Sequence, residues 1–365
     1  MTGTPLPLED YALLDDALCA ERIRAAKAAL GDRCVILGHH YQRDEVFTHA
    51  DLTGDSLRLS REAAQSGAKY IVFCGVHFMA EVADILSRPD QIAILPDLAA
   101  GCSMADMANR AAVERAWEEL QTVLDPDASI TPVTYINSAA DLKAFCGRHG
   151  GIVCTSSNAR DILEWSFARR EKVLFFPDQH LGRNTGYRMG IPLDAMVTWD
   201  FSKPLGGLTP EAIQNARMIL WKGFCSVHQV FQPVHIDRFL ERHPDTKVIV
   251  HPECALEICE KADVIGSTEF ILKAVRAAEP GTRWLVGTEL NMVNRLADEM
   301  RPKGVDVHFM SPTVCMCSTM FRTDPQHLAW VLENLVQGHV VNQIRVPGAV
   351  AEPARLSLER MLEVA

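Results

Sequence analysis

The chain has 365 residues, 48% of them hydrophobic and 23% charged, and a net charge of −11. That length holds two or three domains with cores of their own, and the acidic balance excludes a surface built to grip phosphate backbones, which needs clustered Lys and Arg. No apolar run reaches the roughly 20 residues of a membrane span, and the first residues lack the basic start and apolar core of a secretory signal, so the expectation is a cytoplasmic protein with no membrane or nucleic-acid partner.

In chain order, residues 1–20 read as an acidic extension, with Leu and Ala at the spacing of a helix docked on the surface. Three β-α-β-α-β units follow, expected at 21–128, 129–243 and 244–365, the last with a C-terminal segment. Their apolar runs lie at 35–37, 70–73 and 92–95, then at 133–136, 152–154 and 173–176, then at 248–250, 264–265 and 284–287. The third runs of the first two units end alike, in Leu95-Pro96-Asp97 and Phe176-Pro177-Asp178, which supports triplication of one α/β plan.

An open parallel sheet holds ligands beyond the C-terminal ends of its strands, so the polar residues after each run are the candidate site. In the first unit these are His39, His40 and Tyr41, then Ser56 in Gly54-Asp55-Ser56. Ser56 reads either as an N-cap or as a hydroxyl offered, with a helix N-terminus, to an anion. The second unit supplies Tyr135, Asn137, Ser156 and Ser157, and a loop at 177–186 too polar and too rich in turn residues for a core. The third supplies His251-Pro252-Glu253-Cys254 and Gly266-Ser267-Thr268. Glu253 beside His251 is the best-placed carboxylate to act as a base, although a carboxylate at a helix N-terminus is also stabilised there by the dipole.

Eleven cysteines in a reducing compartment read as free thiols rather than a disulfide framework. The late part of each unit carries one near a turn: Cys102, Cys225, and Cys315 or Cys317. Their wide separations match no zinc-knuckle or ferredoxin spacing, but three equivalent units about a pseudo-threefold axis would bring them to one point. Three thiolates on a [4Fe-4S] cluster leave one iron open as a Lewis acid. Zinc held by three cysteines is the competing reading. Cys19, Cys34, Cys74, Cys146, Cys154, Cys254 and Cys259 are expected to be mostly small buried residues.

From about Arg33 onward the chain resembles the quinolinate synthase family. The likeness rests on Gly38-His39-His40-Tyr41-Gln42, Gly54-Asp55-Ser56-Leu57, Gly101-Cys102-Ser103-Met104-Ala105-Asp106, Tyr135-Ile136-Asn137, Thr155-Ser156-Ser157, His251-Pro252-Glu253-Cys254, Gly266-Ser267-Thr268 and Cys317-Ser318-Thr319-Met320. The resemblance implies three αβα domains (Rossmann-like, with parallel sheets) in pseudo-threefold symmetry, one cysteine from each ligating a [4Fe-4S] cluster. It implies condensation of iminoaspartate with dihydroxyacetone phosphate to quinolinate, with loss of phosphate and two waters, in NAD biosynthesis, and an L-aspartate oxidase as supplier of iminoaspartate. It further implies acid-base roles for Glu253 and Tyr41 with His251 beside them, substrate contacts from His39, Ser56, Tyr135, Asn137, Ser156 and Thr268, and Cys317 as third ligand, since a methionine follows three positions on. His228 fits the family's Cys-x-Val-His pattern as a phosphate or substrate contact. Two other classes remain beside this one: a non-catalytic Fe-S or zinc protein using the same thiols, and a zinc-dependent lyase or aldolase acting on a phosphorylated ketose.

Overall fold

The computed structural model describes residues 4–313 and 316–364. The chain divides into two compact units, Met1–Cys102 with Met316–Pro347, and Ser103–Cys315 with Gly348–Ala365.

The first unit is built on four parallel strands, β1 (Cys34–His39), β2 (Leu52–Gly54), β3 (Tyr70–Cys74) and β4 (Ile92–Ile94), in the order β4-β3-β1-β2. A short antiparallel strand, Gln343–Ile344, covers the β4 edge. All five residues of β3 are buried, as the unbroken apolar run Tyr-Ile-Val-Phe-Cys requires of a strand covered on both faces. The helices Asp16–Leu30 and Pro325–Val336 complete this core. Asp16–Leu30 runs across residue 20, and Tyr11 and Cys19 pack with Ile23, Leu328 and Leu332. The N-terminal residues therefore contribute to the core itself, beyond the surface docking expected of them.

The second unit contains two all-parallel sheets. One comprises β5 (Ile130–Tyr135), β6 (Ile152–Cys154), β7 (Lys172–Phe176), β8 (Met196–Trp199) and β9 (Met218–Trp221), ordered β6-β5-β7-β9-β8. The other comprises β10 (Lys247–Val250), β11 (Val264–Ile265), β12 (Arg283–Gly287) and β13 (Asp306–Phe309), ordered β11-β10-β12-β13. The C-terminal helix Gly348–Val364 lies against the helix Ala140–Arg148. There Ser357 Oγ donates to Lys143 O at 2.8 Å and Arg360 Nη1 to Gly151 O at 2.6 Å.

All three sheets share the core order second-first-third, followed by the fourth strand in the first and last sheets and by the fifth and then the fourth in the middle one, so α/β units with parallel sheets recur three times. The repeat resides in this topology and not in the shared endings of the 92–95 and 173–176 runs. β2 is a strand that no apolar run announces, which makes Ile92–Ile94 the fourth strand of its sheet and Lys172–Phe176 the third of its own. The Leu-Pro-Asp and Phe-Pro-Asp endings therefore occupy different places in the plan. With β2 counted, each sheet has its switch point between its first and third strands, where ligands bind in folds of this kind. In the second unit, these points are flanked by Tyr135 and Asp178 in one sheet and by His251 and Thr288 in the other.

Candidate functional site

The second unit gathers side chains from both of its switch points around one carboxylate. Glu253 is 3% exposed. His228 Nδ1 lies 2.7 Å and His251 Nδ1 3.7 Å from its Oε2, and the Tyr135 hydroxyl hydrogen-bonds to it. The His228 and His251 rings stack with centroids 4.6 Å apart and planes 18° apart, and His228 Nε2 reaches Thr288 Oγ1 at 3.3 Å. His251 Nδ1 accepts from the Glu253 backbone N–H at 3.3 Å, which leaves that ring's proton on Nε2.

The electrostatics follow from burial and these neighbours. Burial works to raise the Glu253 carboxyl, but His251, His228 and the Tyr135 hydroxyl overcome it and hold the group below the usual carboxylate range. Burial pushes His251 down to about 3 despite the nearby carboxylate. The outcome at neutral pH is an ionised carboxylate between imidazoles, one of them fixed neutral. Such a group can take a proton from carbon and pass it on.

Two residues beyond the expected set face this group. Asp178, 0% exposed, caps the helix Gln179–Arg188 by accepting from Leu181 N at 2.7 Å. Burial first, and the Glu253 charge second, drive its carboxyl well above the ordinary value, and its Oδ2 has no hydrogen-bond partner among the described residues. The two carboxyls are thus pushed in opposite directions, Glu253 down and Asp178 up, the pattern by which acid and base roles are divided in enzyme sites. Burial, then Arg183, lowers His180 to about 4, with Glu253 pulling the other way, and its buried Nδ1 also lacks a partner among the described residues. The signal for both was the polar loop after the 173–176 run, placed at a switch point only once the strand order is known.

The other second-unit residues lie at the neighbouring strand ends. Asn137 follows β5 and keeps its Oδ1 buried without a partner among the described residues. Ser156, after β6, lines an open cleft of about 760 Å³ with Ser157, Asn184, Pro252, Gly266 and Ser267. Ser267 caps the helix Thr268–Arg276, and Thr268, its first residue, is 3% exposed.

In the first unit, β1 ends in His39, whose Nδ1 accepts from Tyr41 N at 3.1 Å and whose ring meets that of Tyr41 edge-on at 4.8 Å. His40 turns instead onto Phe47. Of the two readings of Ser56, the N-cap one falls. Asp55 is the cap, accepting from Arg58 N at 3.0 Å, and Ser56 is the first helical residue, half-buried.

Burial sorts the thiols. Cys19, Cys74, Cys146, Cys154, Cys254 and Cys259 are buried, whereas Cys102, Cys225 and Cys317 are partly exposed in loops, and Cys34 is intermediate at a strand start. Burial raises the thiols of all six buried cysteines and takes Cys34 to about 12, so these seven are protonated and poor ligands. Cys225, His228 and Glu253 bring ligand atoms within 4.8 Å of one another, a grouping that can hold a metal ion. Cys317 Sγ lies 3.4 Å from Thr319 Oγ1. Cys315, the alternative third ligand, lies outside the described residues. No helix among the described residues is long and apolar enough to cross a membrane.

Comparison with known proteins adds a family. The family model described as "Quinolinate synthetase A protein" matches residues 21–363. A quinolinate synthase of Herpetosiphon aurantiacus is 56% identical over 359 residues, covering 98% of this chain and 95% of the relative. One of Rhodopirellula baltica is 55% identical over 370 residues, covering 98% and 94%. One of Geobacillus thermodenitrificans is 50% identical over 359 residues, covering 98% and 96%.

Proposed function

We propose a reaction and its residues from one premise: the chain belongs to the quinolinate synthetase A family, enzymes of NAD biosynthesis. The reaction is condensation of iminoaspartate with dihydroxyacetone phosphate to quinolinate, releasing phosphate and two waters. The observation that carries it is the Glu253 carboxylate, buried yet held ionised by His228, His251 and Tyr135.

Ring closure requires protons to leave carbons next to imine and carbonyl groups, and Glu253 is the base for them. His228 relays the proton, with Thr288 setting its ring, and Tyr41 is the second acid-base group. His251 keeps Nδ1 on the Glu253 backbone and turns its Nε2–H to the substrate. The substrate carboxylates and phosphate are bound by Ser56, Ser156 and Thr268, placed at or next to helix N-termini where unpaired amides favour anions, and by His39, Tyr135, Asn137 and His228. Cys102, Cys225 and Cys317 hold a [4Fe-4S] cluster, a role supported by their partial exposure in loops, whereas six of the other seven described thiols are buried and Cys34 stands at a strand start. When bound through three thiolates, such a cluster supplies a Lewis acid. The three domains are taken as 21–128, 129–243 and 244–365, the last including a C-terminal segment, of which 316–347 is part of the first compact unit and 348–364 of the second. The protein works in the cytoplasm, where reducing conditions keep these thiols out of disulfides, and an L-aspartate oxidase supplies the iminoaspartate.

The test is anaerobic purification followed by iron, sulfide and zinc analysis and an assay of quinolinate from the two substrates. About four irons and four sulfides per chain, lost in Cys102→Ala, Cys225→Ala and Cys317→Ala, is the expected result. Stoichiometric zinc without sulfide would replace the cluster with a mononuclear site, for which Cys225, His228 and Glu253 are the available donors.

A further inference from the structure

We infer that Lys143 is a positioning residue of the active site, a fully buried ammonium that fixes the turn presenting Tyr135 and Asn137. Lys143 is 0% exposed in the helix Ala140–Arg148. Its Nζ donates to Ile136 O at 2.9 Å, to Ser138 O, and to Ser138 Oγ at 3.4 Å. These acceptors belong to a single turn, the one that leaves β5 at the switch point.

The turn is tied a second time from within. Ser138 Oγ donates to Tyr135 O at 2.8 Å, Thr134 Oγ1 donates to Ser138 Oγ at 2.9 Å, and Ser138 N donates to Ile136 O at 2.8 Å. The ammonium thus closes a network of oxygens on the turn that carries Tyr135, whose hydroxyl bonds Glu253, and Asn137, whose Oδ1 is buried without a partner among the described residues. Tyr135 lies on one side of Ile136 and Asn137 on the other, so a shift at Ile136 O moves both together.

The alternative, that Lys143 merely fills space, conflicts with the physics of burial. An ammonium out of water is unfavourable unless its protons are matched by acceptors, and an apolar side chain of similar length serves packing as well or better. Lys143 is too enclosed to touch substrate, so it acts through Tyr135 and Asn137. The inference rests on the reading above, in which Tyr135 supports Glu253.

The experiment is a double-mutant cycle between Lys143→Met and Tyr135→Phe in the cluster-loaded enzyme, read as kcat and KM for quinolinate formation, with thermal unfolding and calorimetric quinolinate binding of all four proteins. Lys143→Met should retain a cooperative melt and lose kcat by about 10²-fold, the usual cost of a displacement near 1 Å at a reacting group. In the Tyr135→Phe background the same change should cost clearly less, about tenfold or below, because one of the two groups it positions is already disabled. Ser138→Ala should repeat that non-additivity with a smaller loss, and it decides the matter if Lys143→Met does not fold. Losses that multiply in both cycles, or unchanged kcat in both Lys143→Met and Ser138→Ala, would overturn the inference. A wild-type protein that neither makes nor binds quinolinate would instead overturn the reading it rests on.

Discussion

Gly147→Ala tests how the C-terminal helix is held and what depends on it. Gly147 lies in the helix Ala140–Arg148 under the helix Gly348–Val364, and a Cβ at this position would fall 1.8 Å from Pro353 O and 2.7 Å from Pro353 C. Both are backbone atoms, so no rotamer change relieves the clash. An ordinary carbon-oxygen contact is about 3.3 Å, and the helices must therefore separate by roughly 1.5 Å. Overpacking of this kind costs about 1–3 kcal/mol. The same separation stretches the bonds from Ser357 Oγ to Lys143 O at 2.8 Å and from Arg360 to Gly151 O at 2.6 Å, each worth about 1 kcal/mol or more. Alanine's higher helix propensity returns at most about 1 kcal/mol. The net expectation is a loss of about 2–4 kcal/mol, which lowers the Tm by about 5–10 °C for a unit of this size. Differential scanning calorimetry measures it, with Gly348→Ala as control because no atom lies within 4 Å of the Cβ it would add. Because Lys143 is on the same helix as Gly147, kcat should fall as well. An unchanged or raised Tm in Gly147→Ala would refute the packing argument.

Glu253→Gln keeps the shape of the side chain and removes the proposed base, so kcat should drop by about 10²–10⁴-fold with little change in Tm; a kcat within a few-fold of wild type would move the base elsewhere. Thr288→Val removes the hydroxyl facing His228 Nε2 and should cost about 1–3 kcal/mol of stability, with a fall in kcat that tracks the lost ring orientation. Cys154→Ser places a hydroxyl among buried apolar groups and should destabilise by about 1–3 kcal/mol while leaving iron content at the wild-type level, unlike Cys225→Ser. His327 is raised above its ordinary value chiefly by its hydrogen bond to Asp324, 2.7 Å away. Its stabilisation is therefore fully present below about pH 6.5 and lost as pH rises through the raised value. The Tm of wild type should exceed that of His327→Gln by about 1–3 °C at pH 5.5 and by less at pH 9; a gap that widens with pH would reverse the sign.

What the sequence made legible, and what it hid, divides along the range of the forces involved. Strand cores such as Tyr70–Cys74 announce themselves because burial on both faces demands an unbroken apolar run, and His251-Pro252-Glu253 is legible because its members are neighbours in the chain. β2 was missed because three residues at a sheet edge need only one good partner, and Leu52-Thr53-Gly54 pairs with β1 in parallel register without any apolar run of its own. Asp178 and His180 looked like loop residues, since nothing local says that β7 ends at a switch point opposite Glu253. Lys143 is the clearest case. An amphipathic helix shows one apolar face when one neighbour covers it, yet the six residues from Leu142 to Gly147 are all buried. The second cover is the C-terminal helix, some two hundred residues further along the chain, whose Ser357 donates to the carbonyl of Lys143 itself. A lysine that local pattern assigns to solvent is enclosed by that distant segment, and its charge is turned inward onto the turn that carries Tyr135. The position of the tyrosine that hydrogen-bonds Glu253 then depends on how the far end of the chain docks, a dependence that only the tertiary structure reveals.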